Sequence, residues 1–184
     1  MVKQMSDTFQ IMRQALQRSD RWTVLGHSIP DGDCVGAVLG MLLVLERMGK
    51  KVTAVIEGGV PEIYRFLPDI DKISSETNLP PIFDHLIYVD CTGPERIGEI
   101  IGAKLGQPEF VINIDHHVSN EYFGNANLVD PEASSTCEIL YSLFNSLGIS
   151  CSAEVATPLY CGIVMDSGRF QYSMTTPRTL RAAA

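Results

Sequence analysis

Four apolar runs in this chain each end in carboxylate or imidazole. Trp22-Thr-Val-Leu25 leads into His27-Ser-Ile-Pro-Asp31-Gly-Asp33, Leu86-Ile-Tyr-Val89 into Asp90, Phe110-Val-Ile-Asn-Ile114 into Asp115-His116-His117, and Gly162-Ile-Val-Met165 into Asp166. Runs this short and this apolar read as strands of a parallel sheet buried on both faces, the last as a buried helix. The polar groups then gather along the carboxyl edge of the sheet, where open α/β sheets bind ligands. Ionisable groups crowded there repel one another unless cations lie between them, because a buried unpaired carboxylate is costly. The pattern points to a site for more than one metal ion.

Length and charge narrow the setting. The 184 residues suit one α/β domain with a real core. A formal net charge of −8 argues against a protein that grips long nucleic acid by electrostatics alone. Five cysteines without a CxxC pair fit a reducing compartment better than a disulfide framework. The first residues, Met1-Val-Lys-Gln-Met-Ser-Asp7, lack the apolar core of a signal peptide, and no stretch approaches the ~20 apolar residues of a membrane span. The expectation is a cytoplasmic protein with no membrane partner; a homodimer is left open.

Helical spacing predicts an amphipathic helix over Thr8 to Gln17 and an almost wholly apolar one over Cys34 to Met48, stopped at Gly49. Strands are expected at Trp22 to Gly26, Lys51 to Ile56, His85 to Val89 and Phe110 to Ile114. Shorter helices are expected at Pro61 to Phe66 and Pro94 to Ile101, then a polar loop from Ser119 to Pro131. Two further helices run from about Ser135 to Leu147 and Ala153 to Met165. This alternation implies a parallel sheet covered by helices on both faces. The last residues, Thr175 to Ala184, read as the start of a helix with Pro177 in its first turn. They stop before such a helix could bury a face, so the sequence reads as a fragment.

The chemistry sits at the strand ends. His27, Asp31 and Asp33 share one turn, and carboxylates two residues apart can serve two neighbouring ions. Asp115, His116 and His117 cannot all face one side, because side chains alternate at a strand end. One histidine is therefore expected to bind metal and its neighbour to do something else, with Asp115 holding an imidazole ring in one tautomer. Asp166 interrupts an apolar helix, and metal ligation is the simplest reason. Carboxylate with some imidazole and no thiolate suits manganese, magnesium, cobalt or iron better than structural zinc. Cys34, Cys91 and Cys161 are read as core residues. Ser134, Ser135 and Thr136 precede a helix and could offer donors to a phosphate, or serve as ordinary caps. Near these motifs only Arg169 adds a basic side chain. Two rivals fail on residues. Asp31 and Asp33 occupy the turn where a dinucleotide fold needs glycines, and an EF-hand starting at Asp31 would have Val35 as its third ligand.

His27-x-x-Pro-Asp31-Gly-Asp33, Val89-Asp90, Asp115-His116-His117 and the Asp166 segment, in this order, resemble the four motifs of the DHH phosphoesterase superfamily. Asp130-Pro-Glu-Ala-Ser-Ser-Thr136 and Asp166-Ser-Gly-Arg-Phe170 make it most similar to the bacterial branch of bifunctional oligoribonuclease and pAp phosphatase enzymes, the nanoRNases. The resemblance implies a five-stranded parallel sheet of Rossmann-like build and two manganese ions per chain. His27 and Asp31 would bind one ion, Asp33, His116 and Asp166 the other, and Asp90 would bridge them, while His117 and Asp115 are catalytic. Ser134, Ser135 and Arg169 would contact substrate. It also implies a catalytic domain over 1–174, a linker helix starting at 175–184, and a C-terminal DHHA1 domain that this chain lacks, which weakens substrate binding. The implied activity is hydrolysis of very short RNA and of the 3′-phosphate of pAp. Two alternatives remain: the same site acting on pyrophosphate, polyphosphate or a cyclic dinucleotide, and a catalytically silent metal-binding domain.

Overall fold

A computed structural model of the chain describes residues 2–184, with side chains from Thr8 onward. Expectations drawn from Met1 to Asp7 lie outside the described side chains. The core is a parallel sheet of β1 (Arg21–Leu25), β2 (Lys51–Val55), β3 (Ile73–Ser74), β4 (His85–Val89), β5 (Phe110–Asp115) and β6 (Ala126–Val129), in the order β3-β2-β1-β4-β5-β6. The chain winds outward from β1 to one edge, returns to β4 and winds outward to the other. The order therefore reverses between β1 and β4, and the crevice beyond their carboxyl ends is where such sheets take ligands.

Six strands form where five were expected, and both edge strands escaped the sequence. β3 is two residues long, too short to carry a periodic signal. β6 lies inside the stretch read as a polar loop. Only Ala126 and Leu128 of its four residues are buried, and its regularity comes from pairing with β5 rather than from its own apolarity.

The helices are α1 (Val2–Leu16), α2 (Gly32–Arg47), α3 (Glu99–Lys104), α4 (Thr136–Ser146), α5 (Ala153–Asp166) and α6 (Pro177–Ala183). The segment expected as a helix around Pro61 to Phe66 makes only a 3-10 turn at Glu62–Tyr64. The helix expected over Pro94 to Ile101 splits into a 3-10 turn, Pro94–Ile97, and α3. Between them Gly98 stands at φ 97°, a conformation that ends helical winding and that side chains rarely adopt. Among the described residues, no helix is long and apolar enough to cross a membrane.

One face of the sheet is covered by α1, α2, α4 and α5, whose buried residues merge with Val24, Ile87, Val89, Ile112 and Ile114. The other face carries a smaller cluster in which Leu25, Val55, Leu86 and Tyr88 meet Ile97 and Ile101. α2 and α5 approach closely because α2 presents Gly32, Gly36 and Gly40 along one ridge, four residues apart. A Cβ on Gly36 would lie 2.3 Å from the Pro158 carbonyl oxygen, and one on Gly40 2.8 Å from Leu159. That contact carries the C-terminus of α5, and with it Asp166, to the start of α2. The short α6 packs on α4 and α5.

Candidate metal centre

The first turn of α2 is built by Asp31. Its Oδ1 accepts the amide hydrogens of Asp33 and Cys34, both at 3.0 Å, which fixes the helix start. Asp33 then points inward and is wholly buried. There it meets the N-terminus of α4. The Thr136 amide donates to its Oδ2 at 2.6 Å and the Cys137 amide to its Oδ1 at 2.9 Å. A helix N-terminus carries partial positive charge, so the pairing compensates the carboxylate. Asp90 follows β4 in the left-handed region, at φ 58°, a conformation uncommon outside glycine and one that clusters at functional sites. Its amide bonds the Ile114 carbonyl at 2.9 Å, and the Thr136 hydroxyl donates to its Oδ1 at 3.0 Å.

Around Asp90 the imidazoles converge. His27 Nε2 lies 3.4 Å from Asp90 Oδ2. His116 Nε2 lies 3.0 Å from Asp166 Oδ2, 3.7 Å from Asp90 Oδ1 and 3.9 Å from Asp33 Oδ2. Three sets of potential ligand atoms, each within 4.8 Å of one another, overlap here: Asp33, His116 and Asp166; His27, Cys34 and Asp90; Asp90, Asp115, His116 and His117. Asp90 belongs to two of the sets, and so does His116.

Burial makes the cluster electrostatically tense. It raises the Asp33 carboxyl well above its ordinary value, with Asp90 and Asp166 adding to the effect. Asp166 is raised for the same first reason, with Asp90 and Asp31 adding. Burial also acts to raise Asp90, but His27, His116 and His117 outweigh it and hold that carboxyl below its usual range. Burial lowers His116, yet Asp166, Asp33 and Asp90 together push it up to about 9. His117 is raised chiefly by its hydrogen bond to Asp115.

Donor chemistry and geometry fit a divalent cation. His27 Nδ1 and His116 Nε2 are buried without a hydrogen bond, an arrangement that ordinary buried imidazoles avoid. The surrounding donors are mainly carboxylate oxygen and imidazole nitrogen, which suit manganese or a similar ion. The five residues His27, Asp33, Asp90, His116 and Asp166 are thus brought together. Asp31 stands apart, exposed and engaged in capping α2, though its charge reaches Asp166.

The other expected residues divide. Asp115 is buried, and its Oδ1 lies 2.7 Å from His117 Nδ1, which holds that ring with Nδ1 3.7 Å from Asp90 Oδ1. His117 keeps 44% of its side chain exposed and so can face a substrate. Arg169 is exposed beyond α5 at φ 59°. Ser134 and Ser135 are wholly buried: Ser134 donates to Glu138, and Ser135 caps α4 by accepting the Glu138 amide. In this structure both serve the helix start rather than the open crevice.

Two residues that hold the site, Asn120 and Arg178, were not singled out in the sequence, and Thr136 was read there only as a phosphate donor or a cap. Thr136 bonds Asp90; the Ser135-x-x-Glu138 capping pattern marks the turn it occupies, but not its reach to β4. Asn120 is buried and donates to Asp115 Oδ2 at 2.6 Å and to the Cys91 carbonyl at 3.1 Å. Arg178, on α6, donates from Nη1 to Asp130 at 2.8 Å and from Nε to Glu138. No local pattern announces these last two contacts.

Fold and donor set define a class: a parallel α/β domain with a candidate polynuclear metal centre at the point where its strand order reverses. The chain belongs to the DHH family, whose N-terminal domain matches residues 21–163. It is 38% identical over 158 residues to the bifunctional oligoribonuclease and PAP phosphatase NrnA of Thermus thermophilus, covering 86% of this chain and 47% of that protein. It is 30% identical over 192 residues to the cyclic-di-AMP phosphodiesterase PdeA of Listeria monocytogenes, covering 95% of this chain and 29% of that protein. The chain thus spans half or less of these relatives' lengths. An exopolyphosphatase-related protein from Bacteroides fragilis shares the fold, with a TM-score of 0.81 and 24% identity over 97% of this chain and 57% of that one.

Proposed function

We propose that this domain carries the metal centre of a phosphoesterase acting on very short oligoribonucleotides and on the 3′-phosphate of pAp. The observation that carries the reading is Asp90, shared between overlapping ligand sets at the point where the strand order reverses. Its substrate side draws on the likeness to an oligoribonuclease and PAP phosphatase. His27 would hold one divalent ion, joined by Asp31 only through Oδ2, the oxygen its cap does not use; Asp33, His116 and Asp166 would hold a second, and Asp90 both. Manganese fits these donors. When bound, two such ions supply an activated water and charge stabilisation on the leaving oxygen.

The chain's own residues supply orientation. Asp115 fixes Nδ1 of His117, so the ring turns its other nitrogen outward to bond a phosphoryl oxygen or assist proton transfer. The α4 N-terminus and Thr136 keep Asp33 and Asp90 aimed inward. A second reading keeps the site and changes the substrate to a cyclic dinucleotide, which the likeness to PdeA favours. Assaying the chain with manganese against pAp, a diribonucleotide, cyclic di-AMP and pyrophosphate decides between them. Preference for pAp and the dinucleotide is expected. Preference for cyclic di-AMP supports the second reading, and manganese binding without turnover of any of them defeats both for this chain.

A further inference from the structure

We propose that Arg178, on the C-terminal helix, is a positioning residue for the metal centre. It acts through Asp130, Glu138 and the first turn of α4 on the carboxylates Asp33 and Asp90. The inference rests on the metal-centre reading above.

The chain of contacts has few links. Asp33 owes its direction to two amides, those of Thr136 and Cys137, and Asp90 accepts the Thr136 hydroxyl. All three donors belong to the first turn of α4, so the aim of two candidate ligands depends on where that turn sits. The turn is held largely by Glu138. This carboxylate is wholly buried, and its Oε2 accepts the Ser134 amide at 3.1 Å, the Ser134 hydroxyl at 2.6 Å and the Thr179 hydroxyl at 2.8 Å. Its Oε1 accepts Nε of Arg178.

Arg178 closes the segment from both ends. Its Nη1 donates to Asp130 Oδ2 at 2.8 Å, and the Asp130 amide in turn bonds the Asp115 carbonyl at 3.0 Å. One guanidinium therefore pins the exit of β6 and the first turn of α4, the two ends of the stretch that carries Thr136 and Cys137. A planar fork can serve two carboxylates at once, which an ammonium does less well. Nη2 is buried without a hydrogen bond, so among the described residues the fork's hydrogen bonds go to those two carboxylates. Without Arg178, Glu138 becomes a buried charge with no countercharge. It must then take up a proton or admit water, and either shifts the turn on which Asp33 and Asp90 depend. Arg178 and Thr179 both lie on α6, so metal affinity becomes sensitive to whether that helix is docked.

The test titrates manganese alone into the full chain by calorimetry. It compares the wild type with Arg178→Gln, Arg178→Lys, Glu138→Gln and a control, Leu143→Ala, which opens a cavity in the second half of α4 away from its first turn. Amide hydrogen exchange at Thr136 and Cys137, without metal, reads the same clamp independently. Arg178→Gln is expected to weaken manganese binding about tenfold, the scale on which groups behind metal ligands act, and to speed exchange at both amides. Arg178→Lys should recover part of the loss. Leu143→Ala should lower Tm but leave the Kd for manganese within about twofold of the wild type. If Arg178→Gln does not fold, Arg178→Lys and Glu138→Gln decide by the same measures. Unchanged affinity in the clamp variants, or an equal loss in Leu143→Ala, overturns the positioning role while leaving the metal reading intact. Failure of the wild type itself to bind manganese overturns the metal reading. Exchange at Thr136 and Cys137 then judges the clamp, and unchanged rates in the clamp variants overturn it too.

Discussion

Nε2 of His116 lies 3.0 Å from Oδ2 of Asp166, yet it is buried without a hydrogen bond. Two ligand atoms on one small divalent ion, each ~2.1 Å from it and at right angles, stand ~3 Å apart. The pair is thus already spaced as neighbouring ligands. Asp33, on the first turn of α2, completes this set at the same nitrogen.

Asp90 and Asp31 should respond differently to removal. Asp90 is buried and shared between two ligand sets, whereas Asp31 is an exposed helix cap. Asp90→Ala is expected to abolish binding of both ions. Asp31→Ala should cost about 1 kcal/mol of stability through the lost cap and weaken at most one ion. Calorimetric titration with manganese and a Tm for each variant check this. Equal loss of stoichiometry in both would remove the case for a bridging Asp90.

Gly162 should matter more than Gly40, although both lie at the contact between α2 and α5. A Cβ on Gly162 would meet Asp33 Oδ1 at 2.6 Å and the Asp33 Cα at 3.0 Å, so backbone as well as side chain must move. A Cβ on Gly40 meets only the Leu159 side chain. Gly162→Ala is expected to lose about 1–3 kcal/mol and to weaken manganese binding. Gly40→Ala should lose less and bind manganese as the wild type does. Thermal unfolding without metal, followed by calorimetry, separates the two effects.

The strand ends were legible because each apolar run stops abruptly at a charge, and a parallel sheet brings such stops to one edge. His27, Asp33, Asp90 and His116 could be chosen for that reason, and Asp166 because it interrupts an apolar helix. Asp31 was harder, since one aspartate before a helix reads equally as a ligand and as a cap. The same ambiguity covered Ser134 and Ser135, and the structure places both at the helix start. β6 escaped because only Ala126 and Leu128 face inward within a polar stretch. The contacts of Glu138 with Arg178 were beyond reach for another reason. Each reads locally as an ordinary helix charge, and their pairing spans 40 residues.

Acid should expose the clamp at Glu138. Burial acts to raise this carboxyl, but the Ser134 hydroxyl and amide, Thr179 and Arg178 outweigh it and hold it below the ordinary 4.5. A depressed folded-state value contributes stability that is present above the unfolded value and is lost as pH falls through the folded one. The stability difference between the wild type and Glu138→Gln, both without metal, should therefore be largest near neutrality and shrink as pH falls below the ordinary 4.5. Urea unfolding across pH 3–7 measures it. A difference that grows on acidification would show the opposite sign and contradict the depressed value.

Asn120 should act on turnover through Asp115. Both Asp115 oxygens are occupied: Oδ1 by the His116 amide at 2.8 Å and by His117 Nδ1, and Oδ2 by Asn120 at 2.6 Å. The carboxylate cannot rotate without breaking one of these bonds, so the His117 ring keeps its tautomer and direction. The Asn120 oxygen also accepts the Tyr122 amide at 2.7 Å, which ties the loop after the histidines to the same side chain. Asn120→Ala removes the bond to Oδ2 and leaves the buried carboxylate held through Oδ1 alone, with a stability loss of roughly 1–3 kcal/mol. None of the five clustered donors changes, so manganese stoichiometry should hold. His117 is then less firmly directed, and in the proposed reaction a misdirected group costs rate more than binding, so kcat on pAp should fall at least about tenfold with KM little altered. Steady-state kinetics at saturating manganese, with calorimetry on the same preparation, test both halves. Full kcat in Asn120→Ala would mean that Asp115 holds His117 unaided, and a loss of bound manganese would place Asn120 behind the metal centre instead.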